Sequence, residues 1–379
     1  MKKRYKILLA IVIVIIALVV LGFVVSRQLS NNYTDNDNAN TLEKVTDSKQ
    51  FNGQVFENQQ ARRTNPNPLD LAKTILFDKQ QPSAPLKPIN IVTMDKAQLI
   101  ALQQDYKKQG MLFFRLGHST VLMLIDGAYW LSDPVFAQRA SPFSFIGPQR
   151  FHQPPISIAD LPAIKGVIIS HNHYDHLDEQ AIKLLNAKVE HFYTPLGVGE
   201  ALIKWGVNRN KVTQLDWWQS IKQGSIELTS TPSQHFSGRS TLDRDSTLWS
   251  SWALKGQQGS VFFSGDTGYS PAFKEIGEKL GPFDVSFMET GAYNALWSDV
   301  HMFPEQSAQA HIDIKASYLV PVHNGTFDLS VHTWTDPFER ISTAAKALSV
   351  NLLTPNMGQL VRLQDQVNAQ LPENTWWRE

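Results

Sequence analysis

The sequence predicts an α/β fold in which short strands and amphipathic helices alternate within one continuous domain. Apolar runs rich in β-branched and aromatic residues recur after residue 110, among them GMLFFRLG, TVLMLID, AYWLSDPVF, KGVII and SVFF. The turn signal at Asp126 and Gly127 separates two of these runs, which is typical of consecutive β-strands. Polar residues follow several of the strands directly, so a ligand site is expected at the strand ends. Helical spacing predicts helices over residues 179–187, 271–280, 304–314 and 337–348.

The composition excludes several classes of function. The chain has 379 residues, no cysteine, and 35 basic against 35 acidic residues. Without cysteine there is neither a disulfide nor a thiolate ligand, so any metal must be bound by imidazole and carboxylate groups. The balanced charge removes the broad electrostatic attraction on which most nucleic-acid binding depends, and no nucleic-acid partner is expected.

Residues 1–29 predict a basic cytoplasmic stub followed by a transmembrane anchor. Residues 7–25 form an uncharged apolar run that would span roughly 28 Å as a helix, close to the hydrocarbon thickness of a bilayer. Four basic residues precede this run and only Arg27 follows it closely. The positive-inside rule therefore places the N-terminus in the cytoplasm and the remaining chain outside the cytoplasmic membrane. The alternative is a cleaved signal peptide and a secreted protein, although the apolar region of a signal peptide is usually shorter, about 7–15 residues.

The segment after the anchor predicts a tether and then a folded domain. Residues 30–50 are rich in Asn and Asp and have no apolar periodicity, which is the composition of a solvated polar spacer. Residues 51–379 are assigned to a single folded domain. Its first part is punctuated by proline, with short helices predicted at residues 70–77 and 96–108, and is expected to wrap the domain or line its entrance.

Residues 170–178, SHNHYDHLD, place three histidines and two aspartates directly after the apolar strand KGVII. In an extended segment His171 and His173 lie on one side, while Asp175 and His176 follow where the chain turns into the next helix. Zinc binds imidazole nitrogen at about 2.0–2.1 Å and carboxylate oxygen at a similar distance. Four ligand-type residues within six positions indicate a metal site, because buried imidazoles and carboxylates are unfavourable without a metal or another partner.

The HxHxDH pattern after an apolar strand resembles the signature of the metallo-β-lactamase fold superfamily. Further motifs of that superfamily follow in order in SQHFSGR, FFSGDTGY and VPVHNGTF. Within the superfamily the chain is most similar to the N-acyl-phosphatidylethanolamine-hydrolysing phospholipase D group, through GHSTVLM, SDPVF, RASP, GPQRF, LDWWQS, LWSSW and HMFPEQSA. The resemblance covers the chain from about residue 51 to its C-terminal region. It implies a four-layer αββα sandwich.

Carried over position by position, the resemblance implies two zinc ions. One ion would be held by three histidines, the other by an aspartate and two histidines, and a further aspartate would bridge both. In that order the implied ligands are His171, His173 and His235; Asp175, His176 and His323; and Asp266. Two metals about 3.5–4 Å apart can generate a hydroxide near neutral pH and stabilise the attacking and non-bridging oxygens. Asp175 and Asp266 are therefore candidate catalytic residues as well as ligands.

His301, in DVHMFPEQ, is the third candidate catalytic residue. It matches the additional histidine that the phospholipase D group has near the phosphate, where it could donate a hydrogen bond or a proton to the leaving group. The alternative is that His301 caps the helix predicted from Pro304. His118 and Asp133 are expected to make hydrogen bonds around the site rather than to bind metal. The tryptophans of DWW, LWSSW and TWWRE are expected to pack in the core more than to line an acyl-chain groove.

The resemblance implies a membrane-anchored zinc hydrolase that cleaves phosphodiester bonds of phospholipids such as N-acyl-phosphatidylethanolamine. Three departures concern the substrate rather than the metals: Phe236 replaces a common tryptophan, Asn324 replaces an aromatic residue, and GAY lacks a following proline. The second hypothesis is a lactonase or other ester or amide hydrolase of the same fold. A nuclease comes third, and the zero net charge counts against it. The hypothesis of another class is a non-catalytic surface binding protein that keeps the fold. A redox di-iron protein is disfavoured, because that branch has an acidic residue in place of His173.

Overall fold

The computed structural model describes residues 20, 22, 24, 26–28, 45–64, 66–366 and 375–379. The anchor predicted at residues 7–25 lies outside this part of the chain, apart from residues 20, 22 and 24. Among the described residues, no helix is both long enough and apolar enough to cross a bilayer. The transmembrane anchor therefore stays a prediction.

Strands and helices alternate along the described chain. The strands are β1 (Leu112–Gly117), β2 (Thr120–Ile125), β3 (Ala128–Ser132), β4 (Ile164–Ile168), β5 (Val189–Pro195), β6 (Val212–Leu215), β7 (Ser220–Gln223), β8 (Ile226–Thr231), β9 (Ser251–Lys255), β10 (Ser260–Phe263), β11 (Phe283–Glu289), β12 (Ala316–Val322), β13 (Asn351–Leu352) and β14 (Leu360–Arg362). The α-helices are α1 (Pro68–Phe77), α2 (Lys96–Gln104), α3 (Tyr106–Gln109), α4 (Glu179–Leu185), α5 (Val198–Lys204), α6 (Ala272–Lys279), α7 (Pro304–Asp313), α8 (Asp336–Leu348) and α9 (Leu363–Gln366).

Two seven-stranded mixed sheets form the centre of the domain. The first has the order β14-β1-β2-β3-β4-β5-β6 and the second the order β13-β12-β11-β10-β9-β8-β7. In the first sheet β1, β3 and β4 run in one direction, and in the second β8, β10, β11 and β12 do so. The carboxyl ends of these strands consequently meet at one edge of each sheet.

Hydrophobic packing arranges the domain in four layers. One buried cluster lies between the sheets and joins Phe113 and Trp130 of the first to Trp252 and Phe287 of the second. A second cluster joins the outer face of the first sheet to α4 and α5, and a third joins the outer face of the second sheet to α6, α7 and α8. Successive strand residues face opposite layers because side chains alternate along a strand. The predicted α/β fold is confirmed, with helices outside two mixed sheets.

The N-terminal boundary of the domain differs from the predicted one. Val45 is buried in a cluster with Phe56, Trp217 and Trp249, so residues 45–50 pack on the domain. The spacer predicted at residues 30–50 is therefore wrong at Val45 and Ser48, which are buried at sites that sequence composition does not reveal, while Thr46, Asp47 and Lys49 are exposed and residues 30–44 lie outside the described residues.

Gly166 in β4 allows the indole of Trp130 to lie flat across the neighbouring strand. A Cβ atom at residue 166 would lie 2.2 Å from Cζ3 of that ring. We therefore expect Gly166→Ala to lower the free energy of unfolding by about 1–3 kcal/mol, as overpacked cores do. Urea denaturation of the purified chain measures this. The control is Lys165→Ala, which removes a surface ion pair with Glu190 and should change stability by less than about 1 kcal/mol. An equal loss in both variants would contradict the packing explanation.

Candidate metal centre

The seven predicted ligands converge at the edge where the carboxyl ends of the parallel strands meet. Their segments follow β4, β8, β10 and β12, which come from both sheets. Non-glycine residues with left-handed backbone at this edge include His118 (φ 52°), Asp133 (φ 33°), Ala292 (φ 56°) and His323 (φ 64°). Such backbone is unfavourable for residues with a Cβ and is concentrated at functional sites.

The first cluster contains His171, His173, His235 and Asp266, whose ligand atoms lie within 4.8 Å of one another. Nδ1 of His173 is 2.7 Å from Nε2 of His171 and 3.3 Å from Nε2 of His235. Oδ2 of Asp266 is 3.8 Å and 3.7 Å from the Nε2 atoms of His171 and His235. The structure thus brings together the residues predicted to hold the first ion.

The second cluster contains Asp175, His176 and His323, with His118 beside them. Oδ2 of Asp175 is 3.4 Å from Nε2 of His176 and 3.2 Å from Nε2 of His323. Asp266 reaches this cluster as well, because its Oδ1 is 3.1 Å from Nε2 of His176 and its Oδ2 is 3.1 Å from Nε2 of His323. The Asp266 carboxylate therefore lies between the two clusters.

Most of these distances also suit ligand atoms that share a cation. Ligand atoms about 2.0–2.1 Å from a tetrahedral ion lie about 3.3 Å from each other, which is near the separations in both clusters. Nε2 of His176 and Oδ1 of Asp266 are buried and have no hydrogen-bond partner among the described residues, although they are 3.1 Å apart. Nitrogen and oxygen ligands without thiolate suit zinc and other divalent ions. The donor set therefore fits a divalent metal pair without selecting one element.

The electrostatics of the site also favour cations. Burial lowers the pKa of His171 well below its usual range, so this imidazole is neutral, as a metal ligand must be. Burial opposes the charged form of His323 too, but Asp266 and Asp175 raise its pKa to about 10. The site therefore stabilises positive charge strongly enough to outweigh burial, and a metal ion would replace the proton.

Hydrogen bonds outside the clusters fix the orientation of the histidine rings. Nδ1 of His176 is 2.7 Å from Oδ2 of Asp133, and Nδ1 of His235 is 2.9 Å from the carbonyl oxygen of Val300. Nε2 of His118 is 3.0 Å from Oδ2 of Asp175. Such partners leave the opposite ring nitrogen of His176 and His235 pointing toward the site. His118 and Asp133 make hydrogen bonds around the site, as expected, while the expectation that His118 does not itself bind metal stays a prediction, because its ring lies within the second cluster.

His301 lies beside both clusters. Its ring centroid is 5.1 Å from that of His235 and 5.3 Å from that of His323. It does not cap α7, because Phe303 is the N-cap and its N–H donates to Oε1 of Gln306 at 2.9 Å. The capping alternative for His301 is therefore wrong, and the ring is available to the site.

Glu289 is a site residue that the sequence analysis missed. Its buried Oε1 is hydrogen-bonded to Nδ1 of His301, and its Oε2 accepts the N–H of Thr267 at 2.7 Å. Burial, followed by the nearby Asp266 carboxylate, raises the pKa of Glu289 well above its usual range. Glu289, His301, Asp266 and His323 also bring ligand-type atoms within 4.8 Å of one another. The signal in the sequence is a lone acid at the end of the apolar strand FDVSFME.

Two residues that depart from the resembled pattern lie next to ligands. Phe236 packs against His173 at 4.6 Å between ring centroids, with the guanidinium groups of Arg62 and Arg244 5.2 and 5.4 Å from its ring. The Asn324 amide donates to the carbonyl oxygens of Thr290 (2.9 Å) and Val322 (3.1 Å) and thereby braces the loop of His323. Phe236 thus lies at the edge of the site, while Asn324 stabilises the loop that carries His323.

The remaining histidines and most of the tryptophans have structural roles. Nδ1 of His311 lies 2.8 Å from Oγ of Ser286, and Nε2 of His191 lies 2.7 Å from Oγ1 of Thr213, both away from the clusters. The expectation that the tryptophans pack in the core is confirmed by the burial of several of them. The buried members of the three motifs are Trp217, Trp249, Trp252, Trp376 and Trp377.

The chain is similar in sequence to a known protein family and to several known proteins. Residues 129–324, which include all seven predicted ligands, match the family described as Beta-lactamase superfamily domain. The chain is 44% identical over 266 residues to an uncharacterised Mycobacterium tuberculosis protein, covering 69% of this chain and 70% of that one. It is 31% identical over 351 residues to N-acyl-phosphatidylethanolamine-hydrolyzing phospholipase D 1 of Caenorhabditis elegans. The match covers 86% of this chain and 98% of that protein.

Solved structures agree on the fold. Igni18, a metallo hydrolase from the archaeon Ignicoccus hospitalis, superposes with a TM-score of 0.52 at 19% identity, over 66% of this chain and 97% of that one. At this identity the likeness concerns the fold alone. Together with the family match and the His and Asp clusters, it shows that the chain belongs to the metallo-β-lactamase fold superfamily of metal-dependent hydrolases.

Proposed function

We propose that this chain is a dinuclear zinc phosphodiesterase of the phospholipase D type that hydrolyses a phospholipid such as N-acyl-phosphatidylethanolamine. The observation that carries the proposal is the position of Asp266, whose two carboxylate oxygens are 3.1 Å from ligand atoms of His176 and His323 and which also belongs to the first cluster. The similarity to a phospholipase D over 98% of its length supports the choice of a phosphodiester over other esters.

The reaction transfers a water oxygen to phosphorus and breaks the bond from phosphorus to the ethanolamine oxygen. When bound, a pair of divalent ions would polarise the phosphoryl oxygens and lower the pKa of water. Asp175 and Asp266 would hold these ions, and the phosphate would lie beside His301. Because Nδ1 of His301 is hydrogen-bonded to Glu289, its Nε2 is the nitrogen that can serve the leaving oxygen. The departing alkoxide takes a proton, which gives phosphatidic acid and N-acylethanolamine.

The proposal includes a location at the outer face of the cytoplasmic membrane. The uncharged run at residues 7–25 and the basic residues before it support a single-pass anchor with the N-terminus inside. An anchored enzyme and its lipid substrate are both confined to the membrane surface, which raises the effective concentration of the substrate at the enzyme.

Product analysis with metal removal tests this function. We expect the purified full chain to release phosphatidic acid and N-acylethanolamine from N-acyl-phosphatidylethanolamine, to lose at least about 100-fold in rate after chelation, and to regain it with Zn²⁺. Mass spectrometry of the lipids and elemental analysis of the protein are the measurements. Release of free fatty acid or opening of a lactone would favour the other hydrolase hypothesis. Two bound metals without turnover of any ester would favour a binding protein.

A further inference from the structure

A segment before α1, at residues 50–64, lies along the loop that carries the metal ligand His235. We call it the N-terminal segment. Phe56 holds it on the domain, because this side chain is buried and its N–H donates to the carbonyl oxygen of Asp245 at 2.8 Å. The segment lies outside residues 129–324, to which the family match is confined, so that match assigns it no part in the metal centre.

Both backbone groups of His235 are bonded to one side chain of the N-terminal segment. The N–H of His235 donates to Oδ1 of Asn58 at 2.9 Å, and its carbonyl oxygen accepts a hydrogen bond from Nδ2 of Asn58 at 2.8 Å. Nη2 of Arg62 donates to the same carbonyl oxygen at 3.1 Å. Among the described residues, no backbone group is bonded to either atom. His235 lies beyond the end of β8 at Thr231, so Asn58 supplies the partners that its buried backbone needs.

A third contact fixes the orientation of the Asn58 amide. Nε1 of Trp249 donates to Oδ1 of Asn58 at 3.0 Å. Oδ1 thus accepts from two N–H groups, and the amide nitrogen donates to the carbonyl oxygen of His235. The reversed amide would place its NH₂ group against both donors and its oxygen against the carbonyl oxygen. The side chain therefore has one orientation that satisfies all three contacts.

The ligands of the HNHYDH segment are held in a different way, within their own turn. The N–H groups of His176 and Leu177 donate to the carbonyl oxygen of His173 at 3.1 and 2.8 Å. His235 is held instead by a side chain 177 positions earlier in the chain. Its ring is fixed separately, because Nδ1 is 2.9 Å from the carbonyl oxygen of Val300. Two remote segments thus determine where Nε2 of His235 lies.

We propose that Asn58 is a positioning residue of the first cluster, which fixes the backbone of His235 and so holds Nε2 where it binds a metal ion. Nε2 of His235 is 3.3 Å from Nδ1 of His173, a separation that suits two ligands of one ion. Groups that hold metal ligands in place contribute about 10- to 100-fold to metal affinity. This inference rests on the proposed function only in taking two bound ions.

The metal affinities of the purified full chain test this role. We expect Asn58→Ala to weaken the binding of one of two Zn²⁺ ions about 10- to 100-fold in competition with a chelator, and to change the affinity for the other less than about threefold. His235→Ala should weaken the same ion. Adding Asn58→Ala to His235→Ala should weaken that ion no further, because the imidazole that Asn58 positions is gone.

The absorption spectrum of the Co²⁺-loaded chain gives a second readout, because it reports the geometry of the ligands around each ion. In Asn58→Ala the bands of one ion should change and those of the other should stay. Asn58→Asp keeps Oδ1 as an acceptor but cannot donate to the carbonyl oxygen of His235. Its affinity for the affected ion should lie between those of the wild type and Asn58→Ala, which also tests the proposal if the alanine variant folds poorly.

The matched control is Asn52→Ala in the same segment. Asn52 is exposed, and its Nδ2 donates to Oε1 of Glu57 at 2.7 Å, away from His235. This variant should keep both ions at the wild-type affinity.

The outcomes separate positioning of His235 from a general structural role of the N-terminal segment. Unchanged affinities in Asn58→Ala, equal weakening of both ions, or the same loss in Asn52→Ala would overturn the proposal. If the metal affinities changed as expected but the wild type cleaved no phospholipid, the proposed function alone would fail. If the wild type bound a single ion, the two-metal part of the proposed function would fail, and the effect of Asn58→Ala on that ion would still decide whether Asn58 positions a ligand.

Discussion

Asp266→Asn is expected to reduce hydrolysis at least about 10³-fold and to leave fewer than two metal ions per chain. The carboxylate lies between the clusters, with Oδ1 3.1 Å from Nε2 of His176 and Oδ2 3.1 Å from Nε2 of His323. An asparagine offers one oxygen and no negative charge, so it cannot serve both clusters at once. The shape of the side chain is kept, and the backbone carbonyl of residue 266 can still accept the hydrogen bond from Oγ of Ser233. Loss of function without loss of fold is the expected result.

Elemental analysis and steady-state rates measured on the same preparation check this expectation. The matched control is Asp284→Asn, at the opposite end of β11, where the carboxylate accepts hydrogen bonds from the N–H and Oγ of Ser260 near the surface. This control should keep both metals and the wild-type rate. If Asp266→Asn kept two ions and full activity, Asp266 would not bridge a metal pair and the proposed arrangement would be wrong.

The parts of the site that could be predicted were those with a local pattern. HNHYDH was identified because His171, His173, Asp175 and His176 follow one apolar strand within six positions. The distant ligands have no such pattern. Each of His235, Asp266 and His323 is the single ligand-type side chain of its segment, and only their order, which resembles a known family, indicated that they bind metal. In the structure, the strands before these three residues end at the same edge of the two sheets, and this brings the three side chains together.

The parts that were missed depend on contacts between remote segments. Strand β14 has only three residues and is held in the sheet by antiparallel pairing with β1. Its residue Arg362 lies opposite Leu112, about 250 positions earlier in the chain. Strand β5 begins VEH, and its polar residues Glu190 and His191 hide it from a search for apolar runs. Glu289 was missed for the same reason, because nothing near it in the sequence indicates that its carboxylate contacts His301.

Glu289→Ala is expected to lower kcat about 10²-fold with little change in KM, because under the proposed function the buried carboxylate positions His301 and does not touch the substrate. Its Oε1 is bonded to Nδ1 of His301, while Thr267 fixes its other oxygen at 2.7 Å. Without this partner the ring of His301 can rotate away from the leaving oxygen. Glu289→Gln should recover much of kcat, because the amide can still make a hydrogen bond to Nδ1 at the same distance from the backbone. The bound metal content should stay at the wild-type value in both variants.

A double-mutant cycle distinguishes positioning of His301 from a general structural role of Glu289. If Glu289 acts through His301, adding Glu289→Ala to His301→Ala should cause no further loss of kcat, because the ring that it positions is gone. The pH profile of kcat should also be the same in the double variant and in His301→Ala. If Glu289 had a general structural role, the two profiles would differ. Independent, multiplicative losses, or a fall in metal content with Glu289→Ala, would show that Glu289 supports the metals themselves. The close approach of Glu289, Asp266, His301 and His323 makes that the alternative to test, and the two outcomes differ in the elemental analysis as well as in the rates.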